Sequence, residues 1–154
     1  MKLEGEIRIE APRDRVFGRL SDAHFFASCI DGVSDLQAID DTHYSAQFET
    51  RVAYMRFRFN VNIEMTKAIA PELIEGKVEG KPMGVVGRLA ATAATQLTED
   101  GAQTVVHYSI DALLTGKLGS IGEPVLKAKA RDMEKQFTQR LRAAFAAGPV
   151  EAPG

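Results

Sequence analysis

Tryptophan is absent from this chain, cysteine occurs once, at position 29, and histidine only three times. A single cysteine excludes an internal disulfide and a multi-cysteine metal site, and no two of the histidines have the i, i+4 spacing of a helical metal site. An excess of one charge is missing as well: the net charge is -2 with the signs mixed, which gives no reason to expect nucleic acid as a partner. No apolar run approaches the roughly 20 residues needed to span a bilayer. The opening MKLEGEIRIE alternates charged and apolar residues from the start, unlike a signal or transit peptide. The glycine-rich stretches KPMGVVG and GKLGSIG fit neither a P-loop nor a dinucleotide fingerprint, and GSIGEP lacks the first glycine of a nucleophile elbow. The expectation is a soluble, cytoplasmic protein with a reduced Cys29, no metal and no cofactor.

What the chain has is alternation. Residues 56 to 65, RFRFNVNIEM, put Arg56, Arg58, Asn60, Asn62 and Glu64 on one side and Phe57, Phe59, Val61, Ile63 and Met65 on the other. Such a strand has one wet face and one apolar face. The same period runs through 3 to 10, 34 to 39, 44 to 54, 73 to 80, 88 to 98 and 104 to 114, cut by turn signals such as Asp31-Gly32, Asp40-Asp41 and Asp100-Gly101. After the first strand, Ala11 and Pro12 break the pattern. Two short helices are expected there, one through Val16, Phe17 and Leu20 and one through Phe25 and Phe26, the second capped by Ser21 or Asp22. Beyond GKLGSIG the period lengthens: Leu126, Ala130, Met133, Phe137, Leu141 and Phe145 recur at three and four residues, the mark of one long amphipathic helix that Gly148-Pro149 stops.

At 154 residues, 45% apolar, this is one domain with a sizeable core, expected over 1–147, followed by a flexible Pro/Gly/Ala tail over 148–154. About seven antiparallel strands with one apolar face need a cover, and the last helix is the only element long enough. A helix about 10 Å wide covers such a sheet only if the sheet curls around it, which requires glycines and bulges. Gly76, Gly80, Gly84 and Gly87 are placed for that. The fold class expected is therefore α+β: a curved antiparallel sheet of about seven strands wrapped around a long C-terminal helix, with two short helices after the first strand.

Small residues face one another in this arrangement: Gly119, Gly122, Ala128 and Ala130 near the start of the helix, and Ala91, Ala93 and Thr95 on a strand. They either allow close packing or leave an apolar cavity. In the second case Phe57, Phe59, Val61, Ala91, Ala93, Tyr108, Ile110, Gly119, Gly122 and Leu126 are the candidate walls, and Phe25 and Phe26 either close the mouth or anchor their helix. Thr50, Thr95 and Tyr108 are the inward polar side chains; the Tyr108 hydroxyl orients a ligand carbonyl or bonds to backbone. The two short helices and GKLGSIG are the candidate lid.

The order of elements resembles the helix-grip fold of the START-like, or SRPBCC, superfamily. MKLEGEIRIEAPRDRVFGRLSD, SCIDGVSDLQAIDDTHYSAQF and TGKLGSIGEPVLKAKARDMEKQF together are similar to the carbon monoxide dehydrogenase CoxG family along nearly the whole chain. Asp31 stands where that family often has proline, and Asp-Gly turns as well. The resemblance implies a non-catalytic protein that binds a hydrophobic ligand, lipid or quinone-like. It also implies an accessory role to a molybdenum carbon monoxide dehydrogenase or related hydroxylase, coupling it to the membrane or to an electron carrier. Many members continue into a membrane anchor, whereas this chain stops after PVEAPG, so the expected attachment is at most peripheral, on the inner face of the cell membrane.

The competing class within the fold is a polyketide cyclase or aromatase. His24, His43 and His107 are scattered and Cys29 has no histidine near it in sequence, so no base and nucleophile come together and no catalytic residue is assigned. The basic residues Arg51, Arg56, Arg58, Lys127, Arg131, Lys135 and Arg142 are either solvated surface or a docking face for anionic lipid.

Overall fold

In the computed structural model, residues 1–146 are described. The tail expected over 148–154, and residue 147 before it, lie outside them. Strand β1 (Lys2–Ile9) is followed by helices α1 (Arg13–Leu20) and α2 (Ala23–Ser28). Then come β2 (Val33–Ala38), β3 (His43–Val52), β4 (Met55–Ile69), β5 (Leu73–Pro82), β6 (Gly87–Asp100) and β7 (Gln103–Gly116), a 3-10 turn (Gly119–Ile121), and helix α3 (Glu123–Ala146). The seven strands form one antiparallel sheet in the order β1-β7-β6-β5-β4-β3-β2. From β2 to β7 the chain is a meander of hairpins. Helices α1 and α2 carry it from β1 at one edge to β2 at the other.

Local chemistry explains the ends of these elements. Asp22 caps α2, its carboxylate accepting from the backbone N–H groups of His24 at 3.0 Å and Phe25 at 3.3 Å. Ser21 instead closes α1, donating from its hydroxyl to the Phe17 carbonyl at 2.8 Å. Thr104, fully buried, donates to the Ala11 carbonyl at 2.7 Å and so ties β7 to the corner between β1 and α1.

The sheet bends where the register slips. One irregularity lies between Ser34 and Gln37 on β2, where Asp35 adopts a φ of 53°. A second lies between Met65 and Lys67 on β4, opposite Gly76. Each extra residue increases the local twist and turns the strand, which lets the sheet close around α3.

Two apolar clusters hold α3 in this grip. Around its C-terminal half, Leu141 and Phe145 pack with Ile7, Ile9, Val16, Leu20, Leu97 and Val106. Around its start, Leu126 and Ile121 lie against Phe57, Phe59, Val61 and Leu118. The rings of Phe48, Phe57 and Phe59 stack at centroid distances of 6.0 and 6.1 Å. Phe57, Phe59 and Val61 of the alternating strand are thus spent on the protein's own core, while Ile63 and Met65 are half-buried.

Candidate functional site

Between the two clusters the interior is not filled. A cavity of about 370 Å³ lies under the middle of α3, against β1, β3, β5, β6 and β7 and beside α1 and α2. That volume falls in the range of small-ligand sites. Its existence follows from side-chain size: at this level α3 offers Ala130, β6 offers Ala93 and Thr95, and β5, one strand further, has Gly76 paired with Ala93. Larger apolar side chains form the rest of the wall, Leu3 and Ile7 from β1, Ile74 from β5, Val106 and Ile110 from β7, and Met133 and Phe137 from α3. Phe26 of α2 stands at the rim, its ring 5.1 Å from that of Phe137 and tilted by 49°.

A few polar groups break the apolar wall. Tyr108 and Glu134 close in on β1 at Gly5: a Cβ there would come within 2.5 Å of a Glu134 carboxylate oxygen and 2.5 Å of the Tyr108 ring. A side chain at position 5 would have to displace the ends of both. Arg131 lies beside them, donating to the Glu4 carbonyl at 3.2 Å and reaching Glu134 at 3.4 Å. Thr50 and Thr95 add hydroxyls to the lining. Cys29 also lines it, 3% exposed, and burial pushes its thiol up, so at neutral pH it is a protonated, weakly polar patch of wall. An ion pair between Arg140 of α3 and Asp31 joins the helix to the turn after α2, beside the rim.

Of the expected walls, Ala93, Tyr108 and Ile110 line this cavity together with Phe26, and so do all three inward polar residues, Thr50, Thr95 and Tyr108. The others lie apart from it. Phe57, Phe59, Val61 and Leu126 fill the second cluster, because the start of α3 is plugged by Leu118 and Ile121. Gly119 and Gly122 bracket the 3-10 turn at that same end, so GKLGSIG does not border the cavity. Ala91 borders a more open recess on the sheet whose lining includes Glu64, Lys77, Glu79 and Asp111. Phe25 packs on the first cluster, with the Arg19 guanidinium 5.1 Å over its ring.

Sequence reasoning missed Leu3, Ile7, Ile74, Cys29 and the Arg131 and Glu134 pair. The alternation of β1 marked Leu3 and Ile7 as inward, but only the pairing of β1 with β7, Leu3 opposite Ile110 and Ile7 opposite Val106, places them here. The helix period likewise carried Ala130, Met133 and Phe137 without saying which level of the sheet they meet. Among the described residues, no three of His, Cys, Asp or Glu gather as a metal site, and no helix is long and apolar enough to cross a membrane.

A family model described as CoxG, a carbon monoxide dehydrogenase subunit, matches residues 5–146. No curated protein matches the chain. Among solved structures, a conserved protein from Geobacillus kaustophilus is similar at 23% identity with a TM-score of 0.87, over 95% of both chains. A START superfamily protein from Mycobacterium smegmatis is similar at 8% identity, TM-score 0.70, over 94% of this chain and 97% of that one. The Zhui aromatase/cyclase from Streptomyces sp. R1128 is similar at 12% identity, TM-score 0.65, over 96% and 94%. At these identities the likeness is one of fold, and the fold is START-like: a helix gripped by a curved sheet.

Proposed function

This chain belongs to the carbon monoxide dehydrogenase CoxG family, and on that basis we propose that it is a non-catalytic carrier of an apolar small molecule, lipid or quinone-like, held between the sheet and α3. The observation that carries the reading is the cavity of about 370 Å³ with its mostly aliphatic and aromatic wall. Burying about 300 Å² of apolar ligand there at roughly 25 cal/mol per Å² contributes near 7 kcal/mol before association costs, which points to roughly micromolar binding or weaker. A carrier needs that moderate affinity, since its cargo must leave again. Tyr108 and Glu134 supply the polar end: the phenol donates to a ligand carbonyl, and the carboxylate accepts from a hydroxyl.

The partners that fit a protein of this family are molybdenum hydroxylase subunits, with carriage to or from the cytoplasmic face of the membrane as the task. The second reading, a polyketide cyclase or aromatase, draws on the Streptomyces neighbour and on the same Tyr108 and Glu134, a donor and an acceptor at one end of the cavity. Native mass spectrometry of protein purified from its own cells, followed by solvent extraction, tests both. A lipophile recovered unchanged after incubation supports the carrier. Turnover of a cyclisable polyketide, lost in Glu134→Gln with the fold intact, would replace it with the enzyme.

A further inference from the structure

The end of the sheet beyond Thr50, outside the cavity lining, carries a second feature. Three turns meet there. The β3–β4 hairpin ends at the Val52 and Met55 pair, Pro82 of β5 pairs with Phe59, and Gly87 of β6 pairs with Gly116 of β7. Backbone bonds from Met83 N–H to the Arg58 carbonyl and from Lys117 N–H to the Val86 carbonyl lock these turns together, both at 2.8 to 2.9 Å. Their tips are apolar and exposed: Tyr54 by 91%, Val86 by 85%, and Met83 and Val85 less so. Ala53, at a φ of 56°, takes a left-handed conformation that costs a non-glycine residue energy, and it holds Tyr54 at the very tip.

Charge frames these tips with one sign. The acidic residues nearby are engaged: Glu49 with Arg58, Glu79 with Arg88, and Glu123 with Lys127. Arg51, Arg56, Lys81 and Lys117 enter no ion pair among the described residues. Arg51 and Arg56 are moreover direct cross-strand partners, a like-charge placement that costs stability unless an anion lies against it. A bilayer accepts each tip into its acyl boundary while its phosphates meet the surrounding cations.

We propose that the β3–β4 and β5–β6 tips form a peripheral docking surface for an anionic lipid bilayer, with Tyr54 and Val86 inserted and Arg51, Arg56, Lys81 and Lys117 on the headgroups. This deepens the membrane part of the reading above and is independent of which ligand the cavity holds. The test is flotation of the full chain with vesicles of phosphatidylcholine alone or mixed with phosphatidylglycerol. The parent binds the mixed vesicles about tenfold tighter or more, and salt weakens that binding. Arg51→Gln, Arg56→Gln, Lys81→Gln and Lys117→Gln combined remove the preference for anionic vesicles, and Tyr54→Ser with Val86→Ser weakens binding to both. None of these residues lines the cavity, so uptake of an apolar fluorescent probe stays as in the parent. Conversely Ala130→Leu, which blocks the cavity, keeps vesicle binding, so the two readings fail separately. No binding of the parent to mixed vesicles, or equal binding by the variants, overturns the proposal. Self-association of the parent that Tyr54→Ser abolishes would overturn it too, in favour of an interface between copies.

Discussion

Replacing Ala130 by leucine is the sharpest probe of the cavity, because filling a space and blocking a site then have opposite signs. Ala130 faces Ala93 and Thr95 across about 370 Å³ of unfilled interior. Leucine adds three carbon atoms, worth up to about 2.4 kcal/mol at roughly 0.8 kcal/mol per buried methylene. Ordering its side chain returns about 0.5–1 kcal/mol. The net is a stabilisation of about 1.5–2 kcal/mol, or a rise in Tm of about 3–8 °C for a domain of this size. Helix propensity hardly opposes it, since leucine follows alanine closely. The same three carbons occupy the ligand's volume, so uptake of an apolar fluorescent probe should fall about tenfold or more. Thermal unfolding followed by circular dichroism, and probe titration on the same preparation, read both effects. A destabilisation of about 1–3 kcal/mol, the usual cost of overpacking, would refute the reasoning, because it would mean that Ala130 is packed and there is no space to fill. Stabilisation with unchanged uptake would leave the space real but show that the ligand binds elsewhere.

Gly5→Ala should destabilise by about 1–3 kcal/mol in urea unfolding, since the new methyl meets the Tyr108 ring and Glu134 at once. Tyr108→Phe should cost about tenfold in affinity for a ligand with a carbonyl at that end and nothing for a plain hydrocarbon, as calorimetry can show. At the surface, a hydrogen bond from His43 to Asp40 raises the imidazole above its ordinary value of 6.5, while Asp40, held first by the Thr42 backbone N–H and then by His43, is lowered to about 2. The contribution of His43 is therefore full below pH 6.5 and is lost as pH rises through its folded pKa, and that of Asp40 is full above pH 3.8 and is lost as pH falls towards about 2. NMR titration should find His43 above 6.5 in the parent and lower in Asp40→Asn; an unchanged midpoint would show that the pair does not form.

Much of this architecture was already legible in the chain. Strict alternation from Phe57 to Met65, turn residues between strands and the 3.6-residue period from Leu126 to Phe145 are local patterns, and each dictates an element and its buried face without reference to the rest of the molecule. Even the need for curvature could be read, because one helix cannot cover a flat sheet of seven strands. The inward setting of Thr50, Thr95 and Tyr108 came from the same parity argument, and all three reach the cavity. The family, too, was visible in three stretches of residues.

The position of the cavity along the helix was not legible. Small residues occur both at the start of α3 and at Ala130, and local pattern treats them alike. Which of them faces a gap depends on the axial placement of the helix over the sheet. That placement is set by contacts between residues far apart in the chain: Leu118 and Ile121 fill the level of Phe57 and Phe59, and Leu141 with Phe145 fills the level of Ile9 and Leu97. The unfilled level between them falls at Ala93 and Ala130. β1 becomes its wall only because the chain crosses to the far edge through α1 and α2, which brings Leu3 opposite Ile110 and leaves Gly5 opposite Tyr108. Period and turn chemistry act over a few residues and so determined the strands, the helices and the face each one buries. Which faces meet, and at what height, is a sum of long-range packing, and only the tertiary structure decided it.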